Sequence, residues 1–158
     1  MEYGARSHAE HSLVWIGIVA TILLSIGFVA YTFWPSTMGA TNVSIGAKTF
    51  QAAVADTNEK RALGLTDLKV LPENQALLVV YDREEVWPIQ TKGLAFPIDV
   101  VWLSANKKVA YVAKDAKPST TATYTPGGKS RYVLQLPAGS IVRHNITVGK
   151  SVKFDYGG

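Results

Sequence analysis

Asp99 is the residue whose surroundings in the sequence most clearly indicate chemistry or binding. It lies in the run Ile98-Asp99-Val100-Val101-Trp102-Leu103, in which strand alternation places its carboxylate on the face shared by Val101 and Leu103. A carboxylate on an apolar face needs hydrogen-bond donors or a cation, because an unpaired buried charge is costly. Either Asp99 is structural, accepting backbone N–H groups or pairing with a cation, or it lies at the mouth of a pocket.

Arg61 and Lys92 are the cations that could meet this carboxylate. The three side chains form the predicted binding site, in which two cations and one carboxylate would contact a polar ligand. For Arg61 the other interpretation is a solvated position, because it lies on a short predicted helix. We predict no catalytic residue at these positions.

No other pattern predicts a cofactor, a metal ion or a nucleophile. Gly127-Gly128-Lys129-Ser130 ends like a phosphate-binding loop, but Thr123 stands where the earlier glycine is required and no strand-to-helix context surrounds it. His8 and His11 lie in the N-terminal tail, and His144 is far from both, so no metal-ligand spacing exists. No serine is framed by a nucleophile-elbow pattern.

The chain is moderately basic and contains no cysteine. From Thr41 onward, 15 Lys and Arg residues stand against 10 Asp and Glu residues. This balance favours loose association with anionic lipid heads, wall polymers or nucleic acid. Basic and aromatic residues are not interleaved, however, so we do not expect nucleic acid as a partner. The absence of cysteine excludes disulfides, thiolate metal sites and a cysteine nucleophile.

One segment, residues 13–34, predicts a single transmembrane helix after a short tail at residues 1–12. It contains 22 consecutive residues without a charge, which at the α-helical rise span about 33 Å, close to the thickness of a bilayer core. Trp15 and Trp34 lie near its two ends, where aromatic rings prefer the interface. The expected partner is therefore the lipid bilayer, with the protein in the cell membrane as a single-pass chain.

Three features of this segment and its flanks leave alternatives open. Small residues at Thr37 and Gly39 resemble a signal-peptide cleavage site, although the apolar run is longer than a signal peptide requires. Arg6 is the one basic residue before the helix, so orientation follows the usual topology of such an anchor, with the domain on the extracytoplasmic side. Gly17, Thr21 and Ser25 recur every fourth residue and could pair with another membrane or surface protein.

A β-rich domain is predicted at residues 42–158, after a polar linker at residues 35–41. Its clearest unit is a hairpin in which Ile98–Leu103 and Val109–Ala113 flank the turn Ser104–Lys107. A long polar loop is predicted at residues 114–131. The other predicted strands share short apolar or alternating runs: Val43–Ile45, Phe50–Val54, Leu77–Tyr81, Tyr132–Leu136 and Ser151–Phe154.

Helical content is predicted to be small. Asp56 and Glu59 resemble a capping box and Gly64 a helix end, so Thr57–Leu63 should form about two turns. A second helical turn is predicted around Ala138–Arg143. The predicted fold class is therefore mainly β, a compact barrel or sandwich-like domain of about seven short strands with one or two short helices, preceded by a transmembrane helix.

Four segments together resemble the domain of unknown function 192 family, from about Thr49 to Phe154. The matching segments are Ala55–Leu65, Lys92 with Pro97-Ile98-Asp99, Tyr132–Gly139 and Val148–Val152. The resemblance implies a small, compact, β-rich protein, often secreted or membrane-anchored, with no established activity. It supports fold and location more than function.

The chain departs from the family pattern at polar positions. The family's Met-Lys-Asn-Thr is here Thr91-Lys92-Gly93-Leu94, its late-strand Glu is Gln135, and a Met-Arg pair is replaced by Thr66-Asp67. Lys92 and Asp99 keep their family positions, while the Asn and Thr side chains that could complete a polar site are absent. If the family site is catalytic, this chain has lost or altered it.

Three functions are consistent with these observations. The one we favour is a tethered, non-enzymatic binding or interaction module. The first alternative is a hydrolase or transferase with a polar pocket around Asp99, Lys92 and Arg61. The second is a subunit of a surface or secretion assembly that pairs through its membrane helix.

Overall fold

The computed structural model describes residues 38–119 and 121–156. The predicted transmembrane helix, residues 13–34, lies outside the described residues. Within them, no helix is both long and apolar enough to cross a membrane.

Nine strands and two short helices follow one another along the described chain. The strands are β1 Gly39–Ile45, β2 Lys48–Ala55, β3 Gln75–Glu85, β4 Ile89–Gln90, β5 Ile98–Leu103, β6 Val109–Ala116, β7 Thr123–Tyr124, β8 Ser130–Pro137 and β9 Val152–Lys153. The helices are α1, Asn58–Leu63, and α2, Ser140–Arg143. The prediction of a mainly β domain with one or two short helices is therefore confirmed, with two helices observed.

Seven strands form one sheet in the order β6-β5-β8-β3-β2-β1-β9. All neighbours are antiparallel except β2 and β3, which are parallel. The two outer strands approach each other, because Lys108 and Ser151 form an isolated bridge and the Val109 N–H donates to the Lys150 carbonyl at 2.9 Å. The sheet is thus curled like a barrel, which selects the barrel-like form of the prediction over the sandwich.

The concave face of the sheet holds the main apolar core. Alternate residues of the strands point into it, and fully buried aliphatic side chains of this kind each contribute about 1.5–3 kcal/mol. Its largest members with less than 2% of their surface exposed are Phe50, Ile45, Leu78, Leu103, Leu134 and Leu136.

The outer face of the central strands is also buried. All six residues of β5 are buried, although alternation points only half of them into the core. On the outer face, the indole N–H of Trp102 donates to the Trp87 carbonyl at 2.8 Å, so the segment around Trp87 lies over this face. Leu65, Leu68 and Leu71, which follow α1, are buried as well.

Several boundaries differ from those predicted. Strand β1 begins at Gly39, inside the predicted linker at residues 35–41. It starts this early because β2 continues as far as Val54, which pairs with Gly39. The predicted loop at residues 114–131 contains the end of β6 and the two-residue strand β7, which pairs with β4. Strands this short leave no periodic pattern in the sequence, and this is why nine strands are present rather than about seven.

The start of α1 corrects the predicted capping box. Thr57 is the N-cap and its hydroxyl accepts the Lys60 N–H at 3.3 Å. Asp56 instead accepts a 2.7 Å ion-pair hydrogen bond from the Lys60 ammonium. Gly64 ends the helix as predicted, at a φ of 52°, and its N–H donates to the Lys60 carbonyl at 3.0 Å.

Candidate functional site

Asp99 is fully buried, and its carboxylate is bound by two main-chain N–H groups. One oxygen accepts the Asp115 N–H at 2.9 Å and the other accepts the Ile141 N–H at 2.7 Å. The structural interpretation of Asp99 is thus the one found, with backbone donors rather than Arg61 or Lys92 as its partners.

Both donors belong to irregular backbone. The pairing of β5 with β6 shifts register between Ile98 and Val100, and Asp115, at a φ of 49°, is part of the resulting bulge. A bulge removes an N–H from the strand ladder, and Asp99 supplies its acceptor. Ile141 lies in the first turn of α2, where N–H groups have no helical partner. Asp99 therefore joins β5 to the bulge of β6 and to the start of α2.

Arg61 braces α1 against the sheet. One terminal nitrogen, Nη1, donates to the carbonyls of Val80 at 2.6 Å and Asp56 at 2.9 Å, and Nη2 donates to the Asn58 side chain at 2.8 Å. The guanidinium carbon lies 5.3 Å from the centre of the Tyr81 ring, within cation–π range. The solvated interpretation of Arg61 is therefore wrong, because its guanidinium is held by the main chain.

An aromatic stack adjoins Arg61. The rings of Tyr81 and Trp87 are parallel within 3° and their centres are 3.8 Å apart. Burial raises the pKa of the Tyr81 phenol, an effect that the nearby Arg61 opposes, so the phenol is neutral at physiological pH. Both rings are half-buried, and sequence reasoning did not include them because no motif marks a pair six positions apart.

Lys92 is exposed on a segment that lies against the loop after α1. The neighbouring Thr91 is fully buried, and its hydroxyl donates to the Lys117 carbonyl at 2.8 Å. Gly93 has a φ of 83°, and a Cβ added there would be 3.1 Å from the Thr66 methyl group. Among the described residues, no hydrogen bond or ion pair joins any two of Arg61, Lys92 and Asp99.

Gln135 is a buried polar residue that the predicted site did not include. It lies in the middle of β8, between Leu77 of β3 and Val100 of β5, and 8% of it is exposed. Its amide makes no hydrogen bond within the described part of the chain. In the same part of the chain, the Ser130 hydroxyl is the side-chain atom that is fully enclosed and has no partner. Gln135 is thus almost enclosed and keeps a small exposed fraction.

A sequence signal for Gln135 did exist. It is the only amide in the run Tyr132-Val133-Leu134-Gln135-Leu136, which is otherwise apolar. A strand that is apolar at successive positions is buried on both faces. A polar side chain inside such a strand must therefore be buried, whichever face it occupies.

Within the described residues, no group of three or more His, Asp and Glu side chains could hold a metal ion. The predicted site residues are therefore not brought together by any contact in this part of the chain, since Asp99 and Arg61 are each held by main-chain groups. Beside them stand the half-buried aromatic stack, the exposed Lys92 and the Gln135 amide. Such groups can orient and bind a polar ligand, because an amide supplies both donors and acceptors.

Comparison with known proteins identifies the fold but no activity. The family model DUF192, described as an uncharacterised ACR, matches residues 41–154. No curated protein matches the chain. A crystal structure from Sinorhizobium meliloti 1021, of a protein proposed as a transcription regulator, matches with a TM-score of 0.70 and 15% identity. The match covers 77% of this chain and 98% of that one.

A second crystal structure has the same fold. It is a protein of unknown function from Novosphingobium aromaticivorans DSM 12444, with a TM-score of 0.69 and 18% identity over 76% of this chain and 89% of that chain. At these identities the likeness concerns the fold alone. The shared fold makes up 98% of the solved Sinorhizobium chain.

Proposed function

Because the chain belongs to the DUF192 family, whose members are uncharacterised, we propose its function from its own side chains: a membrane-tethered, extracytoplasmic, non-enzymatic binding module. Its ligand approaches the outer side of the sheet at Gln135, whose side chain is 8% exposed and whose amide is the central polar contact. The transmembrane segment at residues 13–34 would hold the domain at the cell surface.

The amide of Gln135 carries this proposal. The fold supplies this amide with no hydrogen-bond partner among the described residues, and an apolar side chain of similar shape would pack in the same place. Gln135 stands between Leu77 and Val100, where a leucine would suit the neighbouring side chains. An amide in this position is therefore explained by a partner that approaches from the surface.

The engagement of Asp99 and Arg61 favours binding over catalysis. A general acid or base must reach the proton that it transfers in the bound substrate. Both oxygens of Asp99 accept main-chain N–H groups, and Arg61 donates to main-chain carbonyls. An enzyme built on Asp99, Lys92 and Arg61 would have to break these contacts, so the described geometry offers it no support.

The proposal is tested with a soluble fragment, Ser36–Gly158, which forms one compact unit. The immobilised fragment is exposed to cell-wall polysaccharide and to solubilised envelope extract, and saturable binding is measured for the native sequence and for Gln135→Leu. The matched control is Gln51→Leu, because Gln51 is an exposed amide on the same sheet.

We expect binding that Gln135→Leu loses and Gln51→Leu keeps. Equal loss in both variants would contradict a role for Gln135. Saturable turnover of any bound compound would overturn the non-enzymatic proposal. Stoichiometric capture of one envelope protein through Gly17, Thr21 and Ser25 of the full chain would support the assembly alternative instead.

A further inference from the structure

A basic surface lies where the two outer strands of the sheet meet. We name it the basic seam and define it by Lys48, Lys108, Arg143 and Lys150. Lys108 bridges Ser151, and the Val109 N–H donates to the Lys150 carbonyl at 2.9 Å. The seam is thus formed by the closure of the curled sheet.

Two segments from other parts of the fold contact Lys150. The Lys150 ammonium donates to the Asn145 carbonyl at 3.0 Å, and a Cβ added to Gly46 would be 3.4 Å from that ammonium. The turn between β1 and β2 and the segment after α2 therefore both contact Lys150.

Lys48 lies beside an aromatic pair that includes His144, the residue that follows Arg143 in the chain. The rings of Phe50 and His144 meet edge to face at 5.7 Å, and the Lys48 ammonium lies 5.2 Å from the centre of the Phe50 ring. Burial, followed by the charges of Lys48 and Arg143, lowers the pKa of His144. A neutral histidine between two cations is consistent with a positive local potential.

Few carboxylates offset this charge. Glu73 lies 3.9 Å from Arg143, at the limit of an ion pair, and its side chain is 83% exposed. Within the described residues, no ion pair joins Lys48, Lys108 or Lys150 to an acidic side chain. Exposed pairs such as that of Glu73 are weak, so the seam keeps a net positive charge.

Two exposed valines flank the cations. Val142 is 68% exposed and precedes Arg143, and Val148 is 64% exposed and lies two residues before Lys150. A surface that combines cations with protruding apolar side chains fits the interface of an anionic bilayer, where charge meets headgroups and apolar groups enter the acyl boundary. A soluble polyanion would use the cations but would not use the valines.

We propose that the basic seam, with Val142 and Val148, docks on the surface of an anionic lipid bilayer. This contact goes beyond the ligand site at Gln135, because it uses the closure of the sheet rather than the outer face of β8. Each cation near an anionic membrane strengthens partition about fivefold, and the attraction weakens as salt screens it.

The test uses the fragment Ser36–Gly158 and vesicles of phosphatidylcholine that contain about one third phosphatidylglycerol, a typical anionic surface. Vesicle sedimentation at low salt should retain the fragment, and pure phosphatidylcholine vesicles should not. Lys108→Gln with Arg143→Gln should reduce partition roughly 25-fold, because both side chains are exposed and their removal takes two charges from the seam.

A charge-matched control separates the seam from net charge. Lys69→Gln with Lys114→Gln removes two exposed lysines elsewhere and should change partition less than threefold, an effect of screened distant charges. A loss as large as that of the seam variant would overturn the proposal, as would equal binding to neutral vesicles.

The valines decide between a bilayer and a soluble polyanion. Val142→Ser with Val148→Ser should weaken vesicle binding while leaving heparin binding unchanged. If the serine variant bound vesicles as the native fragment does, and heparin competed fully, the seam would be a polyanion site and the bilayer proposal would be wrong. Gln135→Leu should leave vesicle binding unchanged, so failure of one proposal is distinguishable from failure of the other.

Discussion

The two faces of the curled sheet each carry a buried polar side chain, and the two side chains differ in their hydrogen bonding. Asp99, on the concave face of β5, has both carboxylate oxygens bound by main-chain N–H groups. Gln135, on the outer face of the adjacent strand β8, makes no hydrogen bond within the described part of the chain. The two residues are close in the ladder, because Asp99 pairs with Leu136 and Gln135 pairs with Val100.

This difference distinguishes a polar side chain that stabilises the fold from one that is available to an outside partner. A buried group whose partners are all supplied by its own fold stabilises that fold, and its removal leaves the partners unsatisfied. A nearly buried polar side chain without such partners gives the fold less than an apolar side chain of the same size would, and it is explained by an outside partner. Substitutions at the two positions should therefore change stability with opposite signs.

Asp99→Ala should give the largest effect. It leaves the N–H groups of Asp115 and Ile141 buried without acceptors, which should lower the free energy of unfolding by about 3–5 kcal/mol. Urea unfolding of the fragment Ser36–Gly158 measures it. Asp99→Asn keeps one acceptor and should cost less. A cost below about 1 kcal/mol for the alanine variant would contradict the bracing role, because surface substitutions fall in that range.

Arg61→Met should give the next largest effect, on the outer side of the sheet. It removes the donors to Val80 and Asp56, and we expect a loss of about 1–3 kcal/mol. Hydrogen exchange should show faster opening of α1 than of the central strands. Arg61→Lys should not restore stability fully, because an ammonium lacks the planar fork. The exposed Arg83→Lys should change stability by less than about 0.5 kcal/mol.

The central strands and the hairpin of β5 and β6 are predictable from local pattern. Strand β5 has the bounds that were predicted for it, Ile98–Leu103. Alternation along this strand also assigns Asp99 to the face on which the structure places it. The pattern could not supply its partners, because Ile141 is 42 positions away and its N–H is free only once α2 begins at Ser140. Alternation determines a face, whereas a hydrogen-bond partner depends on tertiary structure.

The predicted site illustrates the same limit. Arg61 and Asp99 were placed in one predicted site because their charges are complementary. Each instead forms hydrogen bonds with main-chain groups, whose positions the sequence does not reveal. Gln135 could be recognised as buried from its apolar strand, but its lack of a partner is a property of the three-dimensional neighbours Leu77 and Val100. Two-residue strands such as β4 are not visible in the sequence at all.

Gln135→Leu should give a smaller effect of the opposite sign. Replacing an unpaired amide with an apolar side chain of similar size should raise the free energy of unfolding by roughly 0.5–1 kcal/mol. Thermal and urea unfolding of the fragment measure the change, and Gln51→Leu, on the exposed surface, should be near zero. Destabilisation by Gln135→Leu would mean that the amide has a structural partner, and the contrast with Asp99 would fail.

The smallest effect should come from Asp56, an acidic side chain that is partly exposed where Asp99 is enclosed. The hydrogen bond from Lys60 is the largest cause that holds the pKa of Asp56 below its ordinary value of 3.8. The folded state thus takes up this proton less readily than the unfolded state, so the pair stabilises the fold above pH 3.8 and loses that contribution as the pH falls through the lower folded pKa.

Lys60→Met should cost about 0.3–0.5 kcal/mol at neutral pH, as is usual for such pairs, and nothing once Asp56 is protonated. The exposed Lys69→Met is the control and should show no such pH dependence. An equal cost for Lys60→Met at both pH values would assign its effect to packing of the lysine stem rather than to the ion pair.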